Sequence, residues 1–198
     1  NGFKKEYVEQ EKENLKKIIE SRKDNKAIYA RERCIEYMFE GEPYSLYKYG
    51  DVKDLNQINE VNLYEYYKKV IANSKMDLYI TGNNIDNVKV PDVKSKEIER
   101  INIQHISPNK VKTIKEKQDV TQGKLIIGLN VTHSNKPAIS MYNTILGGGA
   151  NSKLFQNVRE KASLAYSAGS SYIRRKNAII VQTGIEIKNY DKAVKIIE

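Results

Sequence analysis

The chain has 198 residues, 39% hydrophobic and 30% charged, with 34 basic against 25 acidic side chains and a net charge of +9. That length holds one large or two small domains, and the apolar content supports only a lean core. No run approaches the about 18 apolar residues of a membrane span, the N-terminal NGFKKEYVEQ lacks the apolar centre of a secretion signal, and a single cysteine excludes an internal disulfide, so the cytoplasm is the expected location.

Residues 4–22 read as a long helix, with Val8, Leu15, Ile18 and Ile19 on one face. Residues 26–40 read as a second helix, with Ile28, Ile35, Met38 and Phe39 inward. Its Arg31, Glu32 and Arg33 suggest water on the other side. Cys34 shares the apolar face, which favours a buried structural thiol over a nucleophile. A loop carrying Gly41, Pro43 and Gly50 follows. Leu63, Tyr66, Tyr67, Val70 and Ile71 then repeat at the spacing of an amphipathic helix. Met76 to Thr81 reads as a short strand.

The pattern fades from Asn83 to Lys117, where Pro91 and Pro108 interrupt a polar stretch. Ile101 and Ile103 alternate as in an edge strand. So long a stretch is uncommon within one compact domain, and we read residues 91–117 as a linker between residues 1–90 and 118–198. Beyond it, 118–132 reads as a strand, and 137–146 and 151–162 as helices. Strands at 165–173 and 178–186 read as a hairpin with Arg174 to Asn177 in its turn. Tyr190 to Glu198 begins a further helix. His105 and His133 both read as solvated loop histidines.

A charge of +9 raises nucleic acid as a partner. Acidic and basic residues interleave, however, as in EKENLKKIIESRKDNK, which reads as solvated helix faces with i,i+4 pairing. Fourteen tyrosines suggest base stacking, but Tyr66 and Tyr67 are expected on a buried face, and no RNP-like or GXXG pattern is present. A basic nucleic-acid-binding protein is the distant alternative.

The most informative run is LGGGANSKLFQNVREKASLAYS, Leu146 to Ser167. Its glycines lower the cost of positive φ and permit close approach. Asn151 and Ser152 suit a helix N-cap. Leu154, Phe155, Val158 and Ala162 share a helix face, with Arg159 on its flank one turn after Phe155. Tyr166 follows at the start of a strand. An Arg fork and a phenol together suit a carbonyl or carboxylate. Spacing alone also allows a capping turn, a surface Arg and a half-buried Tyr. A Walker phosphate loop is set aside, because no Ser or Thr follows Lys153.

From Ile145 to Ser167 this run resembles the second half of an insulinase/pitrilysin-type zinc peptidase, a family that includes the mitochondrial processing peptidase. Gly123 to Val131, Pro137-Ala138-Ile139 and Tyr142 to Leu146 resemble the preceding strand and helix. Glu42-Pro43-Tyr44, Gly50, Ile58, Leu63, Tyr66-Tyr67 and Met76 to Gly82 resemble an earlier part. The resemblance implies an α+β fold, with layered helices on mostly antiparallel sheets and two partial domains joined by the linker. It also implies substrate-binding or oxyanion-stabilising roles for Arg159 and Tyr166.

Active members of that family carry H-x-x-E-H, which supplies two zinc ligands and a general base. Here His105 and His133 stand 28 residues apart, and neither belongs to such a motif. A catalytic zinc takes three protein ligands and an open position, so no metal ligand, cofactor or catalytic residue is assigned. The position of the third-ligand Glu falls on Ile18. Glu20 is two residues on and about 200° around the helix. The resemblance therefore implies a middle piece of a longer protein, silent in proteolysis by itself, with zinc expected only where an intact H-x-x-E-H accompanies it. Its expected partners are a peptide substrate, the remaining halves of the same protein and a homologous active subunit. The alternative is an inactive, chaperone-like subunit that presents peptides to such a partner.

Overall fold

A computed structural model describes residues 2–83, 88–89 and 110–198. These fall into two compact units: the described residues of 1–19 and 51–103 form one, and those of 20–50 and 104–198 the other. The Ile101 and Ile103 edge strand, His105 and most of the linker lie outside the described residues.

The first unit is helical. It holds most of α1 (Lys5–Glu20), the short α3 (Val52–Leu55) and α4 (Glu60–Asn73). Asn59 opens α4 with a reciprocal cap: its side chain accepts from the Val61 and Asn62 N–H groups, while Asn62 Oδ1 accepts from Asn59 N. This satisfies N–H groups that a helix start leaves without intrahelical partners. Lys12 Nζ donates to the Ile58 carbonyl at 2.8 Å and bridges Glu9 at 2.9 Å. Phe3 meets the rings of Tyr64 and Tyr67 edge-on at 5.4 and 5.5 Å. Val8 and Leu55 are buried.

Three expectations fail in this unit. Met76 to Thr81 runs without strand pairing, because a short strand holds its shape only through a partner's backbone, and none pairs with it among the described residues. Ile18 stands 43% exposed, off the core. Tyr66 is 65% exposed, and Tyr67, Val70 and Ile71 are exposed beside it, so the apolar face of α4 is real but not buried within this unit.

The second unit is built on a three-stranded antiparallel sheet in the order β1-β3-β2, from β1 (Gly123–Asn130), β2 (Ala165–Ile173) and β3 (Ala178–Ile185). With its flanking helices it gives the expected α+β class. β1 is shorter than the 118–132 read from the pattern. β3 is central and apolar on both faces, as its run AIIVQTGI requires. On one face Ile179, Val181 and Ile185 join Leu125, Ile127, Ala168 and Tyr172. Over them lie Ile139 of α5 (Lys136–Gly147), Leu154 and Val158 of the following helix, and Ala193 of α6 (Tyr190–Ile197). Each Ile or Val so buried contributes about 1.5–3 kcal/mol.

The opposite face receives α2 (Lys26–Met38). A Cβ on Gly128 would stand 2.7 Å from Met38 Sδ and 3.2 Å from Cys34 Sγ, so the bare backbone there is what admits the helix. Burial pushes the Cys34 thiol up, in keeping with a structural role. Ile28 is exposed rather than inward. The charged side of α2 is also not simply solvated. Arg22 bridges Glu32 and Glu36, and Arg33 bridges Glu36 and Glu116. Tyr47 lies under the Arg22 guanidinium at 4.0 Å. Residues far apart in the chain thus supply the partners that the helix sequence does not show.

The β2–β3 turn is held by Asn177, which adopts φ 50°, a conformation Asn tolerates better than most residues. Tyr172 Oη donates to its Oδ1 at 2.6 Å, and its Nδ2 donates to the Val131 and His133 carbonyls. Beside it, Lys176 forms an ion pair with Glu42, which is only 3% exposed. The Lys176 ammonium lies 5.4 and 5.1 Å from the Phe39 and Tyr44 ring centres. This anchor fastens the loop after α2 to the hairpin.

Candidate functional site

The run from Gly147 to Ser167 builds the site region of the second unit. The glycines do not adopt positive φ; that conformation falls on Gly41, Gly50 and Gly82. Gly147 serves close approach instead. A Cβ there would sit 2.3 Å from Ser170 N and 2.5 Å from Ser170 Oγ, so only glycine lets the end of α5 meet β2 backbone to backbone. Ser170 Oγ donates to Asn143 Oδ1 at 2.8 Å, which fixes the same junction.

Ser152 is buried, and its Oγ accepts from Phe155 N at 3.4 Å, as a cap should. The helix that follows is not α throughout. From Phe155 to Lys161 it winds as a π-turn, closed where Ala162 N donates to Asn157 O, five residues back, at 3.2 Å. Leu154 and Val158 face the core as the spacing required. Arg159 emerges from the π-turn with its side chain 44% exposed. Its guanidinium carbon lies 4.5 Å from the Phe155 ring centre, and Nε stands 3.5 Å from Glu160 Oε1. The ring supports one face of the fork. Among the described residues no hydrogen bond occupies its terminal amino groups.

The π-turn ends through Ser163 at φ 50° and the buried Leu164, whose N–H donates to Val158 O. Tyr166 follows within β2. Ala165 pairs with Ile185 and Ser167 with Gly184, so Tyr166 is the extra residue of a β-bulge. The bulge leaves its ring 84% exposed, not half-buried. Arg159 and Tyr166 therefore lie on either side of one tight turn, each offering donors to solvent. No hydrogen bond joins the two. Phe155 is the participant the sequence reading passed over as core; its signal is the i,i+4 spacing to Arg159, which brings the two side chains onto one helix side.

Among the described residues no group of three His, Cys, Asp or Glu side chains is placed to hold a metal. His133 is exposed in its turn, and its Nδ1 accepts from Asn135 N at 3.1 Å. No helix among the described residues is long and apolar enough to cross a membrane.

Residues 57–198 match the family described as the Peptidase M16 inactive domain, the insulinase/pitrilysin-type family to which the Leu146–Ser167 run pointed. The chain is 37% identical, over its whole length, to the probable inactive metalloprotease YmfF of Bacillus subtilis, and covers 49% of that protein. A conserved protein from Enterococcus faecalis has a crystal structure similar to 99% of this chain, with a TM-score of 0.85 and 30% identity, over 49% of its own length. A peptidase M16 inactive domain from Pseudomonas fluorescens shares the fold over 98% of this chain, with a TM-score of 0.68 and 19% identity, over 50% of its own length. The chain thus spans about half the length of these relatives. By sequence and by fold, it belongs to the M16 metalloprotease family, with residues 57–198 in that family's inactive domain.

Proposed function

We propose that this chain supplies a non-catalytic peptide-binding wall, with Arg159 and Tyr166 as its substrate-binding residues. The observation that carries this reading is the pair itself. A supported guanidinium and an exposed phenol stand on either side of one turn, and among the described residues no hydrogen bond uses the phenol or the terminal amino groups of the guanidinium. Such a fork gives two parallel N–H bonds to a peptide carboxylate or carbonyl, and the phenol gives a third. Hydrolysis would depend on zinc and base held by residues outside this chain, in the same protein or in a homologous active subunit. The similarity to a probable inactive metalloprotease supports the second arrangement, in which the chain presents peptide without cutting it. A single cysteine whose thiol is suppressed by burial is compatible with a cytoplasmic setting.

The test uses the full-length protein and a fluorescein-labelled, unstructured peptide of mixed sequence, with and without the active subunit. Arg159→Ala and Tyr166→Phe are expected to weaken binding about tenfold or more while leaving Tm unchanged. Wild-type affinity in both folded variants would make the pair structural and end the reading.

A further inference from the structure

The Arg159–Tyr166 pair is flanked by two departures from regular structure, and each adds one residue. The π-turn closes across five residues, where an α turn closes across four. The β2 strand places Ala165, Tyr166 and Ser167 against only Ile185 and Gly184 of β3. Neither is needed to bury the core. Leu154 and Val158 already face inward from an α-like spacing, and Ala165 and Ala168 pack inward on either side of the bulge. What the extra residues change is the direction of two exposed side chains. One more residue in the turn rotates Arg159, seated on the Phe155 ring one turn before, by about 100° relative to the chain that follows. The bulge takes Tyr166 out of the alternation that would pair it with β3, and bulges commonly re-aim a side chain in this way.

We infer that the π-turn and the β-bulge are positioning devices that aim Arg159 and Tyr166 at one bound peptide, with Phe155 as the seat of the guanidinium. The inference rests on the peptide-wall reading. Its stated consequence is that the two extra residues serve binding and not folding.

Deletion of Lys161, which is exposed, tests the first device. It leaves the Phe155–Arg159 spacing intact and turns the Ala162-to-Asn157 bond into an ordinary four-residue α bond. Deletion of Ser167 tests the second, because Tyr166 then falls opposite Gly184 as a regular strand residue. Both are made in the full-length protein and read by Tm and by anisotropy of the same labelled peptide. Each deletion is expected to keep or raise Tm and to weaken peptide binding about tenfold, as far as Arg159→Ala or Tyr166→Phe does. Wild-type binding in the folded deletions overturns the inference. Loss of the fold in the deletions overturns it as well, since the extra residues would then serve the core. If Arg159→Ala and Tyr166→Phe themselves bind as wild type, the peptide-wall reading has failed first. If those two weaken binding and the folded deletions do not, only the positioning inference fails.

Discussion

The two units use apolar residues in different ways. In the sheet-centred unit, β3 lies between helices on both faces, and Ile179, Ile180 and Val181 are all but inaccessible to water. Polar groups there are tied to partners far along the chain, as Glu42 is to Lys176 and Arg33 to Glu116. In the helical unit, α1, α3 and α4 close around little more than Val8, Leu55 and an aromatic trio, while Tyr66, Val70, Leu78 and Tyr79 face outward. The contrast shows that an amphipathic pattern states which side of a helix is apolar, not whether that side is covered. Coverage comes from a second layer, and only the sheet-centred unit has one among the described residues.

The sharpest way to break this comparison is Lys176→Met, which removes the charge facing a carboxylate in the interior of the sheet-centred unit. Breaking a buried pair from one side costs about 3–5 kcal/mol, and urea unfolding should show a loss of that size. A loss below about 1 kcal/mol would mean that this unit is no more tightly interlocked than the other. Tyr66→Ser in the helical unit should change stability by less than about 0.5 kcal/mol, as exposed sites do. A larger loss would show that α4 is covered in solution. The smallest effect is expected at Glu116. Hydrogen bonds from Arg33, and then from Tyr29, hold its carboxyl below the ordinary carboxylate value of about 4.3. A lowered folded value contributes stability above the unfolded pKa, and that stability is lost as pH falls through the folded one. Glu116→Gln should therefore flatten part of the acid-side decline, by under about 1 kcal/mol because the group is partly solvated. An unchanged acid limb would remove the Arg33–Glu116 link from the account.

Much of the sheet-centred unit was legible in the sequence. The hairpin turn at Arg174 to Asn177, the cap at Ser152 and the inward Leu154 and Val158 all follow from local rules, because caps, turns and periodicity are short-range. Met76 to Thr81 was misread, since strand pairing depends on a distant partner. Tyr66 and Ile18 were misplaced for a related reason: burial is a property of the neighbour. The Glu42–Lys176 pair had no local signal at all, its members standing 134 positions apart. At the candidate site the residue types were readable, but the π-winding and the bulge were not. Both depend on how the backbone winds and pairs, which the residue types alone do not state.

The contact between Gly147 and Ser170 has a mechanical consequence. Where two elements meet through side chains, one can slide or tilt as rotamers adjust. Here the end of α5 abuts the main chain of β2 with nothing compressible between them. The end of α5 therefore cannot shift toward β2 without displacing its main chain. The same helix carries the exposed Met141, Tyr142 and Ile145, and the same strand carries Tyr166.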